Sequence, residues 1–363
     1  MPLLPEPLRR LAWRGYRATE MRLHELSVLT WEATLRCNLA CKHCASLCGP
    51  DVDTSGELTT GEAMALFTSV AQDFSARKVS IAITGGEPFF RKDLFHVAAH
   101  LHRLGFSWTV STNGTLITKR TVAALRETGC SGVSVSLDGL QAHHEELRGR
   151  GTHGRAVDAV RALRMANLPA QLEVTTCLTA PVVRDIEAVH AFVSTLGAGR
   201  WRLQPLASLG RMPSHAVLVP AAAEMRRVLD WLAALRRAQS GMEVVFDEAG
   251  YLGREYERKV RQKYFFCGAG VTGAVVHADG AVNGCVFLGP GFVQGNVRER
   301  RFSDIWNSEF RVFRDRRWTK QGLCRECREF ADCQGGCLLW RDSPRGGPCA
   351  CLAMALRAES DSL

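Results

Sequence analysis

The chain has 363 residues and no apolar run long enough to span a bilayer. Its N-terminus carries no secretory apolar core, so the expected location is cytoplasmic. No low-complexity tract occurs, and no internal repeat beyond an alternation of strand-like and helix-like segments. Nucleic-acid-binding signatures are missing too. These absences leave a globular protein: 46% hydrophobic and 23% charged residues give core enough for about two domains.

Acid is in short supply. Lysine plus arginine number 46 against 37 aspartate plus glutamate, a net charge of +9. The basic residues are dispersed, which reads as a solvated surface rather than a nucleic-acid patch; attraction of an acidic peptide or a redox partner is the weaker alternative. Residues 2–23, PLLPEPLRRLAWRGYRATEMRL, read as a basic amphipathic helix that packs on its own domain rather than on a membrane.

Cysteine, by contrast, is abundant, with fourteen in the chain. A chain this long needs no disulfides to fold and nothing marks it for export, so the thiols are expected to be reduced and mostly metal-bound.

Strands are expected at 27–34, 78–84, 106–112, 132–138, 170–178 and 200–206, with helices at 63–74, 94–105, 119–129, 154–167 and 185–197. Six such units predict an α/β fold, a parallel sheet of buried strands with helices outside. A further helix is expected at 221–238. Beyond about residue 260 helices become scarce and glycine frequent, and eight cysteines fall between 267 and 351. That composition predicts a second domain held together by something other than a large core.

Cys37, Cys41 and Cys44 follow the first strand, spaced C-x3-C-x2-C. Three thiolates on a tight loop suit a cubane iron–sulfur cluster and leave one iron open for a substrate. In a parallel barrel that loop lies on the face where active sites form. Zinc closed by Cys48 as a fourth ligand is the alternative.

CNLACKHC (37–44) and TGGEP (84–88) resemble the cluster loop and glycine-rich motif of radical S-adenosylmethionine (radical SAM) enzymes. The resemblance implies a partial (β/α)6 TIM-like barrel over 25–215. It also implies that S-adenosylmethionine chelates the open iron, and that its reductive cleavage gives a 5′-deoxyadenosyl radical that abstracts a substrate hydrogen. Gly85 and Gly86 would admit the methionine end, with Glu87 accepting from its ammonium. Ser111 and Asn113 in STNG (111–114) would reach the ribose. Ser136 and Asp138 in SLDG (136–139) end the fourth strand, and Ser136 would touch the cofactor. Arg148 would pair with its carboxylate. Leu203 would line the adenine and His43 pack near it.

Cys267, Cys285, Cys324, Cys327, Cys333, Cys337, Cys349 and Cys351 resemble the SPASM domain, an auxiliary-cluster module. Its hairpin would span 275–286, turning at Asp279-Gly280. The resemblance implies two auxiliary [4Fe-4S] clusters, one on Cys267, Cys285 and Cys337, the other on Cys324, Cys327, Cys333 and a terminal cysteine. The first keeps an open iron, or one of Cys349 and Cys351 closes it. Zinc is the alternative here too. Cys130 and Cys177 read as small buried hydrophobes, with Cys177 at a strand end near the active face, and Cys48 has no assigned role.

The expected layout is an extension at 1–24, the barrel at 25–215, a helical linker at 216–266, the SPASM domain at 267–351 and a tail at 352–363. The expected function is radical modification of a ribosomally made peptide or a protein, with flavodoxin or ferredoxin as electron donor. Two alternatives stand: tailoring of a small molecule such as a tetrapyrrole, and a zinc-stabilised binding protein without catalysis. Asp247 and Glu248 are candidate acid/base residues, with loop acids as the plain alternative.

Overall fold

The structure is a computed structural model that describes residues 5–168, 170–206, 209–238, 241–247, 250–261, 263–340 and 351–358. Six parallel strands follow one another in order: β1 (Val28–Thr34), β2 (Ser80–Gly85), β3 (Ser107–Thr112), β4 (Cys130–Ser136), β5 (Gln171–Leu178) and β6 (Arg200–Pro205). Helices Thr60–Asp73, Leu94–Arg103, Lys119–Glu127, Thr152–Met165 and Ile186–Thr195 alternate with them. The expected elements are all present, and their ends shift by a few residues.

Four more strands join the same sheet. β7 (Glu243–Phe246) pairs parallel to β6. β8 (Gly273–Val276) pairs parallel to β1 on the other side, and β9 (Ala281–Asn283) returns antiparallel to it. β10 (Gly295–Asn296) pairs with β9, so the order is β10-β9-β8-β1-β2-β3-β4-β5-β6-β7. The hairpin turns at Gly280 with φ +86°, the left-handed region that glycine tolerates. The sheet therefore runs across the boundary expected at residue 267. β7 was unforeseen because EVVF is too short to show a period.

Each strand has two unlike faces. On β1, Leu29, Trp31 and Ala33 are fully buried under the helices, while Thr30, Glu32 and Thr34 alternate with them. On β6, Trp201 and Leu203 are fully buried, while Arg200 and Arg202 carry ion pairs on the other face. The inner face of the barrel is thus polar rather than the two-sided apolar surface expected of parallel strands. Glu173 accepts from Arg202 at 2.9 Å and from Ser134 at 3.1 Å, and Asp247 accepts from Arg202 at 2.6 Å. A lumen filled with paired charge is not packed shut.

The N-terminal helix Glu6–Leu23 lies on the cysteine-rich region. Arg14 reaches Asp332 at 2.6 Å, and Trp13 Nε1 donates to the Phe265 carbonyl at 3.4 Å. Among the described residues no helix is long and apolar enough to cross a membrane. The outer layer is held by large side chains such as Trp108, fully buried, with Nε1 donating to the Thr128 carbonyl at 2.7 Å. Trp108→Ala should lower unfolding free energy by about 3–5 kcal/mol, read as a shift in the urea midpoint of the purified protein.

Candidate functional site

The loop after β1 places Cys37, Cys41 and Cys44 at the C-terminal end of the barrel, where they line a cavity of about 230 Å³. Leu39 N–H donates to Cys37 Sγ at 3.4 Å, and Asn113 Nδ2 lies 3.8 Å from it. Burial pushes the Cys37 thiol up to about 11 and the Cys41 thiol up as well. The Cys48 thiol donates to Cys44 and holds it below the usual thiol range. A ligand set of buried thiols releases protons when a metal binds.

Gly85 and Gly86 are required by the backbone itself. A Cβ on Gly85 would stand 2.2 Å from the Thr34 carbonyl, and one on Gly86 2.3 Å from the Arg36 carbonyl. Gly86 N–H donates to Thr34 O at 2.7 Å and Glu87 N–H to Arg36 O at 2.9 Å. The glycine motif so presses against the cysteine loop and fixes it.

Asp138 is fully buried. Its Oδ1 accepts from Cys177 N–H at 2.9 Å, and its Oδ2 lies 2.5 Å from Arg148 Nε and 3.3 Å from His43 Nε2. Burial alone would raise this carboxyl, but Arg148 and then His43 hold it below the usual range. Arg148 ends a helix, Gln141–Arg148, which the sequence had not shown. Its Nη1 comes to 4.0 Å from Cys41 Sγ and its Nη2 to 3.3 Å from His43 Nε2. Burial pushes His43 down to about 4, so the ring is neutral, and its Nδ1 is buried without a hydrogen-bond partner among the described residues.

Of the expected site residues, Cys37, Cys41, His43, Cys44, Gly85, Gly86, Ser111, Asn113, Ser136 and Arg148 share this one cavity. Three do not face it, and a fourth lines a different cavity. Leu203 packs in the core beside Trp201, because side chains alternate along β6 and the neighbouring Gln204 takes the inward position. Glu87 is fully buried: it accepts from Thr112 Oγ1 at 2.8 and 2.9 Å and from Asn113 N–H at 2.8 Å. Its carboxylate aligns the end of β3. Asp138 lies behind Arg148 and acts on the cavity through it. Asp247, at the end of β7, is paired with Arg202 in a second cavity, and Glu248 lies outside the described residues. The Asn113 side chain donates to Asn38 Oδ1 at 3.0 Å and accepts from Thr115 at 2.7 Å, so its amide braces the cysteine loop.

Arg211 was missed. Its Nε donates to the Cys41 carbonyl at 2.7 Å and its Nη2 to the Cys48 carbonyl at 3.0 Å. Nearby Gly210, at φ +55°, would set a Cβ 2.2 Å from the Cys44 carbonyl. The only local signal is that glycine; the contact is long-range and leaves no spacing to read.

The second cavity is larger, about 690 Å³, and lies between β7 and the β8–β9 hairpin. Val286, Phe287 and Leu339 line both cavities, so the two adjoin. Cys267, Cys285 and Cys337 line its wall. Cys267 and Cys337 are hydrogen-bonded and Cys285 lies beside Cys337. Cys324, Cys327, Cys333 and Cys351 form a separate group. Cys349 lies outside the described residues. Cys130 is buried with its thiol on the Gly132 carbonyl, and Cys177 lines the first cavity.

Comparison with known proteins agrees with this geometry. The Radical SAM superfamily model matches residues 31–192, and the SPASM iron-sulfur cluster-binding model matches residues 267–328. An AdoMet-dependent heme synthase of Oleidesulfovibrio alaskensis is 32% identical over 331 residues, covering 85% of this chain and 82% of that protein. The chain belongs to the radical SAM superfamily. A mycofactocin maturase of Mycobacterium ulcerans is 30% identical, over 85% of this chain and 82% of that one. The structure of anSMEcpe with bound AdoMet superposes with a TM-score of 0.71 at 18% identity, covering 93% of this chain and 95% of the other. SuiB of Streptococcus suis bound to the precursor peptide SuiA gives 0.69 at 18%, over 96% and 82%. These two likenesses establish the fold: a TIM-like radical SAM barrel carrying a cysteine-rich SPASM domain. This radical SAM protein is an enzyme, and its cofactors are S-adenosylmethionine and four-iron clusters.

The donor sets fit such clusters better than single ions. Zinc at about 2.3 Å from each sulfur would draw thiols to roughly 3.8 Å of one another. Among the described residues, no three of these thiols lie within 4.8 Å of one another. One group does, His43 with Asp138 and Cys177, but the Arg148 guanidinium already occupies that carboxylate. Every described cysteine is a free thiol. Gly86→Ala should displace the cysteine loop. Anaerobically reconstituted variant is expected to lose the iron of that loop while keeping the rest, measured as iron per chain.

Proposed function

We propose that this radical SAM enzyme modifies a ribosomally made peptide or a protein, using three four-iron clusters. Cys37, Cys41 and Cys44 hold the first. Cys267, Cys285 and Cys337 hold the second, leaving one iron without a thiol among the described residues. Cys324, Cys327, Cys333 and Cys351 hold the third. When bound, the first cluster and S-adenosylmethionine supply reductive cleavage and a hydrogen-abstracting radical. An external donor such as flavodoxin or ferredoxin brings the electron.

The chain's own residues bind and orient. Gly85, Gly86, Ser111 and Ser136 line the cofactor's side of the first cavity. Asp138 fixes Arg148 so that its outer nitrogens present a planar fork to the cofactor carboxylate. Val286, Phe287 and Leu339, at the junction of the two cavities, keep water from the reacting atoms.

The observation that carries the peptide reading is β7. It is the last strand of the sheet, so its outer edge has no strand partner among the described residues, and its residues Glu243–Phe246 line the larger cavity. An extended chain can add to such an edge through main-chain hydrogen bonds and lead a side chain inward.

A second reading is a carboxylated tetrapyrrole. It is supported by Arg236 and Lys263, which line the same cavity without an ion pair among the described residues, and by the aromatic Tyr264, Phe265 and Phe287 beside them. Mass spectrometry after co-expression with short peptides encoded beside the gene, against anaerobic incubation with a carboxylated porphyrin, decides the matter. A mass change on the porphyrin alone would retire the peptide reading.

Two outcomes test the shared chemistry. Cys37→Ala, Cys41→Ala and Cys44→Ala combined should abolish 5′-deoxyadenosine formation and leave the iron of the other two sets in place; surviving cleavage would contradict the assignment. Arg148→Lys keeps the charge and loses the fork. It should weaken S-adenosylmethionine binding by about tenfold, roughly 1.4 kcal/mol, with iron content unchanged, as read by equilibrium dialysis.

A further inference from the structure

The N-terminal helix delivers Arg17 into the protein, where it is 4% exposed. Arg316, from the cysteine-rich region, is 6% exposed. Both line one small cavity, and so do Cys267 of the first auxiliary set and Cys333 of the second. Arg316 Nε donates to the Phe313 carbonyl at 2.8 Å and the guanidinium also contacts the Cys267 thiol. Arg17 donates through both Nη atoms to the carbonyls of Ala331 and Asp332, immediately before Cys333. Arg316 Nη1 and Arg17 Nε are buried with no hydrogen-bond partner among the described residues.

Two buried like charges at close quarters are costly without an anion. Among the described residues no carboxylate oxygen lies within 4.0 Å of either guanidinium. Asp332 acts on Arg17 from beyond that distance and is shared with Arg10, Arg14 and Arg254 at 3.6, 2.6 and 3.6 Å. Thiols face the pair as well, Cys333 beside Arg17 and Cys267 beside Arg316. A four-iron cluster held by thiolates is a net anion, and its potential depends on nearby charge and on hydrogen bonds to its sulfurs.

We propose that Arg17 and Arg316 are the shared counter-ions of the two auxiliary clusters, set between them to raise both reduction potentials. The proposal rests on the three-cluster reading. Reduction adds an electron to an anion, so each fixed positive charge favours the reduced form. Arg316, on Cys267, acts more on the first auxiliary cluster, and Arg17, beside Cys333, more on the second. This gives the N-terminal helix a role in electron flow that its sequence, read as a packing helix, does not reveal.

The test is a dye-mediated potentiometric titration followed by electron paramagnetic resonance. It uses the reconstituted full chain in the Cys37→Ala, Cys41→Ala, Cys44→Ala background, so that only auxiliary signals titrate. Arg316→Gln should shift one auxiliary midpoint to more negative potential by about tenfold in the reduced-to-oxidised ratio, about 59 mV for a one-electron couple. Arg17→Gln should do the same to the other midpoint. Arg316→Lys keeps the charge and should restore most of the shift, which a purely packing role would not. Unchanged midpoints in Gln variants that retain full iron would overturn the proposal, and so would equal shifts in Arg316→Lys and Arg316→Gln. If Arg316→Gln loses its iron, Arg17→Gln decides by the same measure. A parent protein with zinc, or no iron, in these thiol sets would instead overturn the three-cluster reading itself.

Discussion

The Asp138 carboxylate holds the active end of the barrel together. It is fully buried, and it joins three pieces of chain that are distant in sequence: the backbone of Cys177 on β5, Arg148 on its own short helix, and His43 in the cysteine loop. A buried carboxylate is tolerable only when its oxygens are satisfied and a cation faces it. Here both conditions are met by groups that themselves line the cavity. The position of the arginine fork, the tilt of the histidine and the backbone at the end of β5 therefore follow from one charge.

The barrel around it obeys the same rule. Its inner face carries Glu173, Arg200, Arg202, Glu243 and Asp247, each paired across strands at 2.6–3.8 Å. Such residues would be ruinous in a closed apolar core, and each lines or borders an open lumen. Trp31, Trp108 and Trp201, by contrast, face the helices and are fully buried. Stability is thus drawn from the outer layer, and the lumen is left free to hold a substrate.

Much of this was legible in the sequence, and the parts that were not have physical reasons. The cysteine loop, the glycine motif and the strand ends carry fixed spacings, so their residues fell into one cavity. Leu203 lies off the cavity because its side chain takes the helix-facing side of β6; a shift of one residue reverses inside and outside. Glu87 lies off the cavity because Thr112 and Asn113 donate to its carboxylate, contacts that no local spacing reveals. Arg211 and Arg316 were silent because a long-range contact to a backbone carbonyl or a thiol has no period and no motif. β7 was silent because four residues are too few.

The basic surplus also acquires a different meaning. Its dispersion along the chain was read as a solvated surface, yet Arg17, Arg148 and Arg316 are buried or nearly so, and Arg211 clamps the cysteine loop. Each adjoins a group of thiols. Clusters with thiolate ligands would bring negative charge into the interior, and Arg17 and Arg316 stand beside such thiols with no carboxylate within 4.0 Å among the described residues. Those two arginines within the net +9 would then be the interior complement of cofactors that the amino-acid composition cannot count. On this argument the shortage of acid and the abundance of cysteine are connected: clusters held by these thiols would supply the negative charge that faces Arg17 and Arg316.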